Sequence, residues 1–395
     1  MDKHLSPRAI ATLRRRLLAW FAEHHRALPW RASRDPYRVW VAEIMLQQTR
    51  IAAVLPYYER FLAHFPDFHQ LAQARQEEVL KLWSGLGYYS RARNLHAAAK
   101  EIVAKHDGRF PADDESALSL PGVGRYTAAA VLSIAYDVPL AVLDGNVARV
   151  IARLCAVRGD LRAPKRWRVL SDTAQRLLAP QAPGNWNQSL MELGETVCTP
   201  QTPHCGSCPI ARACRAHRLG LMNEIPEPRR KRASVGIQIA AAILLDPLGR
   251  TILVKDPGSH DDVLFSRMWQ FPAVEVVKHA QSELSTHIRA TLGVQPRALE
   301  PLPAARHGVT FRTIVLLPFL AHVPKLPKRP RTRVLALAHL SLVPVSSATR
   351  KIAAAATACV SGDPAHIDKR NSPLPTLCPL ATPDPAQQNE VLASK

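Results

Sequence analysis

No stretch of this 395-residue chain approaches the roughly 20 consecutive apolar residues that a membrane-crossing helix needs. The opening MDKHLSPRAI also lacks the apolar centre of a secretory signal, so an intracellular chain is expected. Acidic residues are in short supply: 32 Asp and Glu face 52 Lys and Arg, leaving a formal net charge of +20. That imbalance argues for a polyanionic partner, with nucleic acid ahead of an anionic membrane. A disulfide framework is disfavoured, because the cysteines number seven and four of them crowd together. Strand-like alternation is scarce before residue 235. What is present is a chain long enough for two domains, with apolar content sufficient for sizeable cores.

The chain is organised around residues 120–153, LPGVGRYTAAAVLSIAYDVPLAVLDGNVARVIAR. Gly122 and Gly124 flank Val123 and lead into an alanine-rich helical pattern. Glycine permits positive φ and close approach, so successive N–H groups can converge on one phosphate at the positive end of the helix dipole. An ordinary helix entry would use the same residues. Asp144-Gly145-Asn146 then interrupts an apolar run and opens a second helix, where Asp144 suits an N-cap. A cap position also favours an ionised carboxylate, so structural and chemical roles are compatible.

Residues 6–106 read as successive helices, the first opened by Ser6-Pro7. In the Leu28-Pro29-Trp30-Arg31 loop, Trp30 and Arg31 suit stacking on a base or a plain surface or core role. A helix over residues 39–48 sets Glu43 one turn from Val39 and Trp40 on one side and from Leu46 and Gln47 on the other. Desolvation there raises a carboxyl's pKa, as a general acid near neutral pH requires. A partly exposed Glu on a rim is the alternative. Residues 51–80 read as scaffold. Residues 83–93 combine two glycines with two tyrosines and two arginines, a mixture used for wedges and phosphate contacts, or equally a capping turn. After a helical stretch over 165–195, Cys198, Cys205, Cys208 and Cys214 follow as C-x6-C-x2-C-x5-C. Four thiolates within 198–214 can close around a metal or cluster, and a zinc ribbon fits less well because only one C-x2-C is present. Cys155, Cys359 and Cys378 read as plain thiols. A charged, proline-bearing linker covers 223–234, after which the period changes. Strands are expected at 238–245, 251–255 and 313–320 with a helix at 282–292. Residues 325–333 form a basic loop, and from 356 an Ala/Pro/Ser-rich stretch reads as a disordered tail.

LPGVGRYTA followed by VLDGNVARV resembles the helix-hairpin-helix and catalytic-aspartate segment of the base-excision DNA glycosylases. AEIMLQQT and LGYYSRARNL narrow the resemblance to the adenine DNA glycosylases, the MutY family. Relatives that also cleave the strand carry lysine at the position of Tyr126, where an amine can form a Schiff base with the sugar and a phenol cannot. The resemblance therefore implies a monofunctional enzyme that hydrolyses the base–sugar bond. It implies that Glu43 protonates adenine, Asp144 stabilises the sugar cation, Asn146 orients the pair or the water, and Tyr126 lines the site. Trp30, Arg31, Leu46 and Gln188 would form the base pocket. Gln47, Gln48, Thr49, Tyr88, Gly122, Val123 and Gly124 would meet DNA, with Gln48 and Tyr88 filling the vacated stack. The four-cysteine spacing is similar to the family's [4Fe–4S] loop.

Met268-Trp269-Gln270-Phe271-Pro272 resembles the Trp/Phe-Pro strand of the MutT (Nudix) fold. The glutamate-rich box that would hold Mg²⁺ is missing, since only Glu275 and Glu283 follow, well apart. The resemblance implies a domain that has kept the fold without the hydrolase and that reads 8-oxoguanine opposite adenine. The family's reader loop corresponds to residues 306–311 with His307, Val309, Thr310 and Phe311. Thr310 matches the family's serine or threonine, whereas Val309 and Phe311 depart from its commoner Phe and His. The expected architecture is a mainly α catalytic region (1–222) of two lobes, a linker (223–234), an α+β Nudix-like domain (235–355) and a tail (356–395). The expected partner is double-stranded DNA with A:8-oxoguanine or A:G mispairs, bound by a monomer. An endonuclease III-like pyrimidine glycosylase/lyase, a non-catalytic mismatch-binding protein and a Nudix hydrolase are the alternatives.

Overall fold

The computed structural model describes residues 5–227, 235–255, 268–309 and 312–361. The chain divides into two compact units. The first is helical: α1 (Pro7–His24), α2 (Pro36–Leu46), α3 (Ile51–His64), α4 (Phe68–Gln73), α5 (Gln76–Trp83), α6 (Tyr89–Lys105), α7 (Asp114–Ser119), α8 (Arg125–Tyr136), α9 (Gly145–Cys155), α10 (Pro164–Leu177), α11 (Pro183–Thr196) and α12 (Arg215–Arg218). Local chemistry explains the starts. Ser6 caps α1 with Pro7 behind it, and Asp35, Asp67, Asp113 and Asp144 cap α2, α4, α7 and α9 through their carboxylates. The helix expected over 39–48 begins three residues earlier because of the Asp35-Pro36 start. It stops at Leu46 because Gln48 takes a left-handed φ of 57°.

Two apolar cores form within this unit. Trp40, Met45, Phe61, Trp83, Leu95 and Ile102 anchor one, drawn from α2, α3, α5 and α6. Leu17, Val150, Ile151, Trp186 and Leu193 anchor the other, drawn from α1, α9 and α11. Helix α8 divides them, with Ala128, Val131 and Leu132 turned to the first core and Ala129 and Ala130 to the second. Its alanines let both cores approach the same helix closely, which puts a cleft where its first turn emerges. These are the two lobes anticipated from the sequence.

The second unit is an α+β domain built on one mixed sheet, of strands β1 (Val235–Leu245), β2 (Arg250–Lys255), β3 (Trp269–Gln270), β4 (Ala273–Val276), β5 (Glu300–Pro301), β6 (Ala305–Val309), β7 (Arg312–His322) and β8 (Thr332–Ala336). The order is β3-β2-β1-β7-β5, with β4 also on β1, β6 on β7 and β8 on β2. Strands β1 and β7 run parallel from Val235↔Arg312 to Leu245↔His322. Helix α13 (Ala280–Leu292) lays Leu284, Ile288 and Leu292 on the sheet.

Several expected boundaries shift. The linker does not begin at 223, because Ile225 is buried, its carbonyl accepts from Arg153 Nε at 2.7 Å, and Glu227 accepts from the Gly159 N–H at 2.8 Å. Its remaining residues, 228–234, lie outside the described residues. Helix α14 (Ser347–Ser361) runs through the point where the tail was expected, and Ala356 is fully buried. Small alanines read as low complexity but serve as a helix face. The rest of the tail, including Cys378, lies outside the described residues. Trp269 and Ser341–Ser347 belong to the helical unit, which the sequence did not foreshadow. Among the described residues no helix is long and apolar enough to cross a membrane.

Candidate active site

The cleft beside α8 is a cavity of about 460 Å³ whose lining includes Trp30, Arg31, Glu43, Leu46, Tyr126, Asp144, Asn146 and Gln188. The structure thus brings together every residue expected in the catalytic and base-pocket sets. Glu43 is carried inward because its neighbours on α2 (Val39, Trp40, Ala42, Ile44 and Met45) are all buried. Burial pushes its carboxyl up to about 7. A hydrogen bond donated by the Tyr126 hydroxyl to Glu43 Oε2 at 2.9 Å pulls the other way, the Asp144 carboxyl adds to the rise, and Arg31 eases it. Burial also lifts the Tyr126 phenol well above its usual value, so it remains a donor.

Asp144 caps α9, accepting the Val147 N–H at 2.7 Å. Burial raises its pKa too, but the N–H groups of Val147 and Asn146 oppose the rise. Glu43 has no such backbone support, and this difference separates the two carboxyls. Asn146 Oδ1 accepts from Arg149 Nη2 at 2.9 Å. Beneath it, a Cβ on Gly194 would come within 3.0 Å of Asn146 Cβ, so the glycine lets α11 close against α9.

The base-pocket wall holds a buried charge network that sequence reasoning missed. Glu192, 1% exposed, accepts from Arg26 Nε at 2.7 Å, Arg26 Nη2 at 2.9 Å and Arg31 Nη2 at 2.9 Å. Burial alone would raise its pKa, but the bonds from Arg26 and Arg31 outweigh it and hold the carboxyl at about 2. Arg31 is therefore fixed in orientation, with its guanidinium over the Phe21 ring at 5.3 Å, and the preceding Trp30 meets Tyr58 edge-on at 5.2 Å. A signal was available: Gln188, Glu192 and Glu195 fall at i, i+4 and i+7 on α11, and all three line the cavity.

Of the residues expected to meet DNA, Gln47, Gln48, Tyr88 and Gly122 line a second, smaller hollow of about 240 Å³ together with Arg91 and Asn94, whereas Thr49, Val123 and Gly124 do not. Gln48 (φ 57°) and Tyr88 (φ 44°) both adopt left-handed backbone, and Tyr88 is 39% exposed. Gln47 Nε2 reaches Thr127 Oγ1 at 3.2 Å, and Thr49 Oγ1 accepts from Arg91 at 3.1 Å. Arg91 stands in the α6 sequence where a phosphate contact was expected, but it is buried. Its guanidinium donates to the carbonyls of Ile44 (3.1 Å), Met45 (2.8 Å) and Gln47 on one turn and Leu86 (3.3 Å) on the other. One cation thereby ties the Gln48 turn to the Tyr88 turn. At Gly122, with φ of 76°, a Cβ would lie 2.6 Å from Asn94 Cβ. Val123 N–H closes that turn on Leu120 O at 3.1 Å, and Gly124 caps α8 with open space where a Cβ would point.

None of Cys198, Cys205, Cys208 and Cys214 is in a disulfide. Burial pushes Cys208 up to about 12, with the other three sulfurs adding to the rise, and burial likewise raises Cys214 and Cys205. The four are thus electrostatic neighbours. Arg153 Nη1 donates to Cys198 Sγ at 3.3 Å, and the Cys214 thiol donates to Arg153 O at 3.4 Å. Among the described residues no three Cys, His, Asp or Glu side chains stand close enough for a single metal ion. A four-iron cluster, with an iron under each thiolate, holds its cysteines farther apart than one ion does, and an all-sulfur donor set fits it in kind.

In the second unit, β6 pairs with β7 in a hairpin from Ala305↔Leu316 to Val309↔Arg312. His307 is half-buried, and burial together with Lys351 lowers its pKa. Thr310 and Phe311 lie outside the described residues.

The profile of the family described as "HhH-GPD superfamily base excision DNA repair protein" matches residues 41–177. That interval holds Glu43, Tyr126, Asp144 and the turn around Gly122. The chain belongs to the HhH-GPD superfamily. This HhH-GPD protein is 36% identical over 345 residues to a Mus musculus adenine DNA glycosylase, covering 75% of this chain and 66% of the relative. It is 47% identical over 218 residues to a Rattus norvegicus adenine DNA glycosylase, covering 53% of this chain and 42% of the relative. The chain therefore spans less than two thirds of the length of these curated relatives. Among solved structures, a thermostable thymine-DNA glycosylase is 28% identical with a TM-score of 0.49, covering 53% of this chain and 97% of its own.

Proposed function

We propose that this chain is a monofunctional adenine DNA glycosylase that flips adenine out of a mispair with 8-oxoguanine or guanine and hydrolyses its bond to the sugar. The observation that carries this reading is the pairing of two unlike carboxyls in one cleft. Glu43 is buried, pushed up to about 7 and held by Tyr126, while Asp144 is supported by the N–H groups of a helix start. Glu43 gives its proton to the departing base, and the electrons of the broken bond leave with the base. The Asp144 carboxylate faces the positive charge that develops on the sugar. Water then adds at the anomeric carbon, passes its proton to a pocket carboxylate and leaves an abasic site. A phenol at 126 offers no amine for a Schiff base, so strand cleavage does not follow. Arg31, oriented by Glu192, and Gln188 hydrogen-bond the flipped base beside Trp30 and Leu46.

The partner in this reading is double-stranded DNA, bound by a monomer. Amides around Gly122, Val123 and Gly124 take a phosphate, and Gln48 and Tyr88 enter the stack, with Gln47 and Thr49 beside them. Cys198, Cys205, Cys208 and Cys214 would hold a [4Fe–4S] cluster, which braces the loop and supplies no step of the hydrolysis. Arg212, Arg215 and Arg218 lie in or beside this loop, which the cluster would brace against the DNA backbone. Residues 306–311 are assigned to reading the opposite base.

Free adenine released from a duplex with an A:8-oxoguanine or A:G mispair tests the assignment. Glu43→Gln and Asp144→Asn should each lower release by orders of magnitude while duplex binding persists and weakens steeply with salt. Variants that release adenine at near wild-type rates would overturn the assigned roles.

A further inference from the structure

The turn that carries Tyr88 is conformationally expensive. Gly85 (φ 114°), Gly87 (φ 67°) and Tyr88 (φ 44°) all lie in positive-φ backbone, and a non-glycine residue there persists only where its surroundings enforce it. Some ties are local: Trp83 Nε1 donates to Gly87 O at 3.2 Å, and Arg91 holds the carbonyl of Leu86. The others come from more than 250 residues away. Ser84 Oγ donates to Val345 O at 2.5 Å, and the Tyr89 hydroxyl reaches the same carbonyl at 3.4 Å. Ser84 and Tyr89 are the two ends of the turn, and Ser84, Tyr89 and Val345 are all buried. The segment that supplies this carbonyl is itself anchored. Trp269 bridges in parallel to Val345, its N–H donates to Pro344 O at 3.0 Å, and its Nε1 donates to Glu77 Oε1 at 3.1 Å on α5.

We infer that the Pro344–Val345 backbone is a strap that positions the Tyr88 wedge by fixing both ends of its turn, with Ser84 as the positioning residue. The inference rests on the base-flipping reading above. A turn held at both ends presents Tyr88 already ordered, so the ordering entropy is not charged to the step in which the base leaves the stack. A loosened turn penalises extrusion alone, because nothing in the strap touches Glu43, Asp144 or the base pocket.

Single-turnover adenine release on two duplexes tests this in the full-length protein. One carries the adenine in a mispair; the other carries the same adenine as an unpaired one-nucleotide bulge, which needs far less extrusion. Ser84→Ala removes the donor and little volume. It should slow release from the mispair about three- to tenfold, the worth of one buried hydrogen bond, and leave the bulge rate unchanged. Trp269→Phe, which removes the strap's side-chain anchor on Glu77, should do the same and stands in if Ser84→Ala does not fold. Unchanged rates on both duplexes, or equal losses on both, would overturn the strap's role. If the wild-type protein releases adenine from neither duplex, the glycosylase reading fails first and the strap's role falls with it.

Discussion

Glu43 should weaken the fold at the pH where it is most useful, and Glu43→Gln should show this. An ordinary glutamate carboxyl has a pKa of 4.5, and burial in the cleft raises it to about 7. Between those values the unfolded chain has lost the proton and the folded chain keeps it, so stability falls as pH rises through this window. Above pH 7 the loss is complete. At about 1.4 kcal/mol per pKa unit it is on the order of 3 kcal/mol. Glutamine keeps the shape and an acceptor for the Tyr126 hydroxyl but cannot ionise. Urea denaturation of both proteins across pH 4.5–8.5 is the assay. The variant should be more stable by roughly 2–3 kcal/mol at pH 8, with the gain shrinking toward zero near pH 4.5. A stability difference independent of pH would refute the argument that burial holds this carboxyl protonated.

Three further outcomes follow from the same geometry. Tyr126→Phe removes a hydrogen bond that favours the ionised Glu43, so the alkaline limb of the pH–rate profile should move upward by about one pH unit; an unmoved limb would detach Tyr126 from the acid. Arg91→Leu should cost about 2–4 kcal/mol in denaturant titrations and weaken duplex binding, because buried carbonyls on two turns lose their shared donor. Arg91→Lys should rescue little, since one ammonium cannot span both turns. Gly122→Ala should cost on the order of 1–3 kcal/mol and lower DNA affinity, as its Cβ meets Asn94 in a backbone conformation alanine resists; wild-type affinity would argue against a phosphate at that turn.

What could be read from the sequence was what is encoded locally. Asp144 announces itself because cap and carboxylate are one residue, and the glycines at 122 and 124 mark a turn before any fold is known. Glu43 was legible because its apolar neighbours recur at helical spacing. The Glu192–Arg26–Arg31 network was not, since its partners lie 166 and 161 residues apart and nothing local joins them. Arg91 misled for a related reason: a charge beside two tyrosines suggests a surface, and only the surrounding carbonyls make it internal. The return of Ser341–Ser347 to the helical unit is marked by the Val345 carbonyl meeting Ser84 and Tyr89, contacts that leave no pattern in either segment. Helix α14 was hidden by composition, because alanines that pack look the same as alanines that do not.

The decisive measurement is single-turnover reaction of a duplex carrying adenine opposite 8-oxoguanine, with and without later alkali. Free adenine should be released, and strand breaks should appear only after alkali. Breaks without alkali would contradict the monofunctional assignment. No release from a tightly bound duplex would leave Glu43 and Asp144 as structural groups in a binding protein.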